Sequence, residues 1–423
     1  MDTIIVRGGH RLEGEIPIHG AKNSALPLLA ATLLVPGVSQ IHNCPQLSDV
    51  RASIAILRHL GCRVSEEADT VTVDAAAPGS CTIPDALMRE MRSSIVFLGA
   101  IVARCGEAVL TYPGGCELGP RPIDLHLAAL RRLGVKVEEQ HGAIRCQVER
   151  ELRGAEITLP IPSVGATENI LLAACTAKGT TVLHHAAREP EIRDLYTFLN
   201  ACGACIRSDG NGTLVIRGVP RLQGTAYRVM PDRIEAATYL AAAAATGSTL
   251  TLTGCVPDTV MPVFPALEQA GCALSLPAPD RLCVRAPARL GKLGTVRTMP
   301  YPGFPTDAAA PLLAVACVGE GTSVFVENIF ENRYKYVDEL TRMGARIQVD
   351  GRVAVVEGVS ALQGAPVACT DLRGGAALVV AALAAQGETT ITSLQHLDRG
   401  YQDLVSCLAV AGADVHRTRF TEK

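Results

Sequence analysis

Three sets of residues in this 423-residue chain have types and spacings suited to chemistry. In Tyr112-Pro113-Gly114-Gly115-Cys116-Glu117-Leu118-Gly119-Pro120-Arg121 the glycines and prolines rule out regular helix or strand and predict a polar surface flap. A cysteine there is open to substrate, and the nearby Arg121 favours its thiolate, the reactive form. In Tyr301-Pro302-Gly303-Phe304-Pro305-Thr306-Asp307 an aspartate stands at the entry to a helix predicted over Ala308 to Val318. Asp307 fits two roles there, a cap for backbone N–H groups or a general base held on a stiff loop within reach of a substrate hydroxyl, and local sequence leaves both open. The third set is Arg121, Arg333 and Arg399, each at the predicted start of a helix. A cation in that place opposes the helix dipole unless an anion lies between them, so three at related positions point to a multiply charged ligand.

The elements that must position these residues repeat. Six apolar runs end in a glycine followed at once by a strand-like run, with the glycines at 61, 134, 203, 271, 344 and 412, a period near 70 residues. Each copy has a second marker, an alanine- and leucine-rich run stopping at glycine: Leu26 to Gly37, Ile95 to Gly106, Asn169 to Gly179, Ala236 to Gly247, Ala310 to Gly321 and Gly375 to Gly387. A glycine just past a helix supplies the left-handed backbone that a β-carbon resists. The unit reads helix, strand, helix, strand, with further strand around each turn. Ten to fifteen residues before each repeat glycine an acidic or capping stretch is expected to open the second helix, as at Ser48-Asp49, Asp124, Glu191, Asp258, Glu331-Asn332-Arg333 and Asp398-Arg399.

Three units make one domain of ordinary size. The chain is therefore expected to form an α/β protein of two domains, residues 22–229 and residues 1–21 with 230–423, with the return crossing at Tyr227 to Arg233. The first strand, Thr3 to Arg7, precedes the first full unit and can pair with either half.

Composition narrows the function. Hydrophobic residues make up 48% and aromatics only 4%, so alanine and leucine fill the interior. A net charge of −3 argues against a general nucleic-acid or membrane surface, and any anion must be held locally. No run reaches the roughly 18 apolar residues that cross a bilayer, and the start lacks the pattern of a signal peptide, so a cytoplasmic protein is expected. The 15 cysteines are scattered through apolar runs and read as small hydrophobes of a reducing compartment. Cys202-Gly203-Ala204-Cys205 sits on a repeat glycine without a second pair, and His184-His185 lacks a third ligand, so both read as structural and no metal is expected.

Eight segments together resemble the UDP-N-acetylglucosamine enolpyruvyl transferase family, in the family's order and over essentially the whole chain. They are Gly20-Ala21-Lys22-Asn23-Ser24, Pro113 to Cys116 with Arg121 to His126, Ser163 to Asn169, Arg188 to Glu191, Pro231 to Ala236, Phe304 to Asp307, Ile329 to Arg333, and Asp398 to Tyr401. The resemblance implies two inside-out α/β barrels, each of three βαβαββ units. It implies transfer of the enolpyruvyl group of phosphoenolpyruvate to the 3′-hydroxyl of UDP-N-acetylglucosamine with release of phosphate, the first committed step of peptidoglycan synthesis, without organic cofactor or metal.

It also implies roles. Cys116 is the acid toward the methylene of phosphoenolpyruvate and Asp307 the base. Lys22, Arg121 and Arg399 hold phosphoenolpyruvate and the departing phosphate, with Arg92 and Arg373 around the anions. On the sugar-nucleotide side stand Asn23, Arg92, Arg121, Pro122, Ile123, Asp124, Leu125, Ser163, Val164, Gly165, Asp307 and Ile329. Residues from both domains are expected to act together. Two positions depart from the family: Ala308-Ala309-Ala310-Pro311 replaces the glutamines usual after the base, and Ile161 replaces a basic residue found in some relatives. Two rivals remain, a shikimate-pathway enolpyruvyl transferase and a silent relative that binds UDP-sugar and regulates a partner.

Overall fold

The computed structural model describes residues 2–112 and 123–419. Contacts divide these into two units, a first of residues 20–112 and 123–230 and a second of residues 2–19 and 231–419, each with its own hydrophobic core.

In the second unit three helices, Arg233–Ala245, Thr306–Val318 and Leu372–Ala384, pack on one another. Almost every position is buried, as a helix apolar all round requires, and alanine at most contacts lets the backbones approach closely. The first unit has the equivalent helices Lys22–Thr32, Phe97–Cys105 and Val164–Ala174, the middle one preceded by a 3₁₀ turn, Arg92–Val96. Around each inner helix the chain writes the same sentence. A short strand enters, the helix follows, a second strand pairs parallel to the first, an outer helix returns, and two antiparallel strands finish the sheet. In the third copy these are Glu156–Thr158, Val164–Ala174, Thr180–His184, Pro190–Ala201, Cys205–Ser208 and Leu214–Arg217.

Among the described residues five sheets have four strands. The sixth, Glu107–Thr111 with Ala143–Val148 and Val135–Gln140, has three, and a parallel bridge from Thr82 to Val109 stands for its fourth. The paired strands alternate, as in Thr322–Val326, so one face packs on the inner helix and the other faces solvent. Edge strands such as Arg346–Asp350 are mostly exposed and charged, which blocks pairing with a further chain.

The copies are not contiguous in sequence. Strand Ala226–Arg228 pairs with Val38–His42 and completes the first copy from its far end, while Glu15–Pro17 pairs with Thr249–Thr253 and opens the fourth. The N-terminal strand Asp2–Arg7 lies between Glu388–Thr392 and Asp414–Arg419, with Ile4 opposite both Ile391 and Arg417. Its placement is thereby settled in the second unit, as the last strand of the sixth copy.

The six repeat glycines have φ between +90° and +99°, the left-handed turn that a side chain resists. The outer helices depart more from expectation. Asp49, Asp124, Glu191 and Asp258 lie in first turns, but the outer helix of the fifth copy begins at Val337 and that of the sixth at Leu404. Arg333 and Arg399 therefore precede their helices in a turn and in the 3₁₀ segment Leu397–Arg399, and do not stand against a helix dipole. Pro311 is the sixth residue of Thr306–Val318, as Pro27 is of Lys22–Thr32. With no N–H, each leaves the carbonyl four residues earlier, of Asp307 and Asn23, without its helical donor.

Candidate active site

The residues expected to act lie chiefly at the N-termini of the inner helices, where backbone N–H groups have no partner within the helix and the dipole favours anions. In the second unit Asp232 caps one such helix, accepting from Ile234 N at 2.7 Å and Glu235 N at 3.1 Å. Asp371 caps another, accepting from the N–H groups of Arg373 and Gly374. The third starts at Thr306 with Pro305 as its N-cap, so Asp307 is a first-turn residue and not the cap.

Its carboxylate is spent otherwise. Arg333 Nη2 donates to Oδ1 at 2.8 Å and Arg373 Nη2 to Oδ2 at 3.1 Å. The arginine side chains are only 2% and 3% exposed, while the aspartate is 26% exposed. Two buried cations thus converge on one carboxylate that looks outward. Arg333 also donates to Thr306 O, and Arg373 lies over the Tyr401 ring at 5.3 Å. Among the described residues, Arg333 Nε and Arg373 Nε and Nη1 are buried and find no hydrogen-bond partner, a cost that an incoming anion would offset. The alanines that replace the family's glutamines, Ala308 to Ala310, are buried in the helix packing, and the two arginines supply the polar support for Asp307.

Ile329 is exposed on a turn organised by Glu327, a buried carboxylate that accepts from Ile329 N, Phe330 N, Thr298 Oγ1 and Thr306 Oγ1. Arg399 is half-buried. Arg233 lies over the Tyr301 ring at 5.5 Å.

In the first unit Lys22, the first residue of its inner helix, is buried with Nζ 3.2 Å from Asp49 Oδ2. Asn23 follows it and is half-buried. Ser24 Oγ donates to Asp194, which also accepts from Tyr227 OH at 2.7 Å and Met230 N at 3.2 Å, so this helix start is tied to the segment leading out of the unit. Ser163 caps the third inner helix, its Oγ accepting from Ala166 N, and Val164 and Gly165 are that helix's first two residues. Ile123 is the buried N-cap residue of Asp124–Arg132, which carries Asp124, the half-buried Leu125 and His126. The structure brings the 123–125 and 163–165 segments together through the His126 ring, which lies against Gly165. One turn into the helix is Glu168, pushed up to about 8 by burial, with Glu191 and Glu189 adding to the shift.

Cys116, Arg121 and Pro122 lie outside the described residues, and Arg92 is described only as the first residue of its 3₁₀ turn. Ile161, in place of a basic residue, is 61% exposed. The structural readings of the cysteine and histidine pairs agree with the environment: Cys202 is fully buried, His184 Nε2 meets Glu156 Oε1, and His185 Nδ1 meets Leu159 O. Among the described residues no acidic, cysteine or histidine cluster could hold a metal, and no helix is long and apolar enough to cross a membrane.

Sequence reasoning missed Glu327, His126 and Asn169. Each has at least one partner in a distant segment, and for Asn169 the signal within reach was the repeat, since it binds Gly99, 70 positions earlier.

Two units of three βαβαββ copies, with charged and capping residues at the inner-helix N-termini, make up the fold of the enolpyruvyl transferases. NikO of Streptomyces tendae, a crystal structure described as an enolpyruvyl transferase, superposes with a TM-score of 0.88 at 28% identity over 99% of both chains. EPSP synthase of Acinetobacter baumannii shares the fold, with a TM-score of 0.75 at 19% identity. The sequence profile of the EPSP synthase (3-phosphoshikimate 1-carboxyvinyltransferase) family matches residues 6–408, and the chain belongs to that family. Within it, the chain is 50% identical to UDP-N-acetylglucosamine 1-carboxyvinyltransferase 2 of Caldanaerobacter subterraneus subsp. tengcongensis, over 99% of this chain and 100% of the relative. It is 49% identical to UDP-N-acetylglucosamine 1-carboxyvinyltransferase 1 of Symbiobacterium thermophilum, over 98% and 95%.

Proposed function

We propose that this protein transfers the enolpyruvyl group of phosphoenolpyruvate to the 3′-hydroxyl of UDP-N-acetylglucosamine and releases phosphate, in the cytoplasm, as the first committed step of peptidoglycan synthesis. The observation that carries the reading is end-to-end identity of about one half to proteins bearing that enzyme's name.

The reaction makes four demands. The methylene carbon must gain a proton, the sugar hydroxyl must lose one, the anions must be neutralised, and water must be kept from the tetrahedral adduct. Cys116 gives its proton to C3 as the sugar oxygen bonds to C2, and Asp307 takes the hydroxyl proton. The adduct then loses a proton from C3 and breaks its C2–O bond to phosphate, which restores the double bond. Lys22, Arg92, Arg121, Arg373 and Arg399 meet the carboxylate and phosphate, where fixed cations oppose charge developing in the transition state. Asn23, Arg92, Arg121, Pro122, Ile123, Asp124, Leu125, Ser163, Val164, Gly165, Asp307 and Ile329 hold the sugar nucleotide. A planar guanidinium suits the diphosphate because it binds two oxygens at once.

The pairing of Asp307 with Arg333 and Arg373 gives this scheme a physical order. While both arginines hold the carboxylate, one lone pair on each oxygen is occupied. An anion that draws on the unspent donors of Arg373 loosens that grip and prepares Asp307 to accept a proton.

A phosphate-release assay on purified protein with phosphoenolpyruvate and UDP-N-acetylglucosamine tests the reading. Release that needs both substrates is expected. No release from a folded sample, or release with shikimate 3-phosphate as acceptor instead, overturns it.

A further inference from the structure

Asn169 lies fully buried between two helices and a 3₁₀ turn, and its amide is oriented by backbone groups alone. Gly99 N donates to Oδ1 at 2.5 Å, while Nδ2 faces Ile95 O at 3.1 Å and Gly165 O at 3.3 Å. A backbone N–H only donates and a carbonyl only accepts, so the amide cannot be turned over without losing all three. Nδ2 also lies 2.9 Å from His126 Nδ1, so its two hydrogens serve the ring and Ile95 O, the nearer acceptors, and the longer Gly165 O contact is shared. Because an amide NH₂ has no lone pair to offer, Nδ1 must be the acceptor and the ring proton sits on Nε2.

The ring is buried, and desolvation takes its pKa down to about 4 against the opposing pull of Asp124. Asp124 is the charged group acting on it from its own helix; Gly165 and Asn169, which meet the ring, do not titrate, and the titratable group of their helix, Glu168, is held neutral by burial up to about pH 8. The Cε1–Nε2 edge lies on Gly165, where a β-carbon would stand 2.9 Å from Cε1 and 3.2 Å from Nε2. The protonated edge thus packs against the start of helix Val164–Ala174, next to Gly165.

We propose that His126 is a neutral hydrogen-bond donor, through Nε2–H, to an oxygen of the uridine diphosphate moiety, and that Asn169 is the positioning residue that fixes this tautomer. The assignment rests on the UDP-sugar reading above. A donor locked in this way is directional and does not titrate across the physiological range. Nucleotide recognition then stays constant where an ordinary histidine would change charge.

The test combines nitrogen NMR with kinetics. With ¹⁵N-labelled histidine, and His126 assigned by its loss in His126→Gln, the wild type should show protonated Nε2 and bare Nδ1 from about pH 5 to about pH 8, and UDP should shift the Nε2 resonance. His126→Phe should raise KM for UDP-N-acetylglucosamine about threefold to tenfold, the range for one lost hydrogen bond, with kcat and the KM for phosphoenolpyruvate unchanged. His126→Gln, which keeps an amide donor, should recover part of the loss. Asn169→Asp, which can only accept, should move the proton to Nδ1 and make the same KM depend on pH. A proton on Nδ1 in the wild type, or an Nε2 resonance unmoved by saturating UDP, overturns the proposal. If UDP moves the resonance but no phosphate is released from the two substrates, the activity is wrong and the role of His126 in binding the nucleotide stands.

Discussion

At Asp307 one carboxylate serves two buried guanidinium groups, so deleting it and neutralising it have different consequences. Asp307→Ala leaves Arg333 and Arg373 facing each other without an anion, and removing one partner of a buried pair costs about 3–5 kcal/mol. Asp307→Asn keeps one of the two acceptors but sets an NH₂ against the second arginine and removes the counter-charge, so it should also unfold earlier than the wild type in urea, though later than Asp307→Ala. In phosphate release it should lose on the order of 10²- to 10⁴-fold, the usual worth of a positioned base. Wild-type turnover in the amide variant would remove Asp307 from the proton path. Cys116 carries a chemical prediction of its own. If it is the reactive residue of the proposed scheme, its sulfur should open an epoxide of the fosfomycin type, adding one inhibitor mass to the intact protein, and Cys116→Ala should show no adduct. An unmodified wild-type mass after treatment contradicts the role given to this cysteine.

The helices carry a pH dependence that belongs to the element rather than to the reaction. Glu168 lies in Val164–Ala174, and burial lets its folded carboxyl hold a proton up to about pH 8, against 4.5 for a solvated glutamate. Between those values the folded state binds more proton than the unfolded chain. Stability therefore falls as pH rises through that window, by up to about 1.4 kcal/mol per pH unit, and levels off above it. Glu168→Gln should flatten the curve and be the more stable protein at pH 8 and above, as measured by urea unfolding across the window. Equal slopes for the two proteins would show that the carboxyl is solvated. Packing sets a second limit in the neighbouring helix. A β-carbon on Gly99 would stand 2.4 Å from Asn169 O and 2.9 Å from its Oδ1, so Gly99→Ala must push two inner helices apart. A loss of roughly 1–3 kcal/mol in urea unfolding is expected from overpacking.

How legible such features are depends on the distance over which a residue acts. The repeat glycines were readable because a left-handed turn after a helix is a local requirement, met at Gly61 and again five times to Gly412. Asp307 stood out through its loop, but the local reading offered a cap, and the arginines that hold it come from 26 and 66 residues away. Glu327 has no local signature, since two of its four donors come from Thr298 and Thr306, in segments folded against it. The same limit left the first strand unplaced. Asp2–Arg7 is bracketed by partners more than 380 residues later, and nothing in its own six residues names them.

That closure has a consequence for the molecule as a whole. Every other copy draws its last two strands from one hairpin, but the sixth has only Asp414–Arg419 after its outer helix and takes its inner strand from the chain's start. The buried faces of Ile4 and Val6 belong to the second unit's core. Deleting residues 1–7 would remove two of that sheet's three backbone ladders, expose Ile391 and Val415, and turn Glu388–Thr392 into an open edge. The first unit takes nothing from this strand and has its own core. In hydrogen exchange the truncated protein should lose protection first at Pro366–Ala368, Glu388–Thr392 and Asp414–Arg419, while Val38–His42 and Thr180–His184 in the first unit keep theirs. Loss spread evenly over both units would mean that they unfold as a single cooperative body and that the strand's effect is not confined to the sheet it completes.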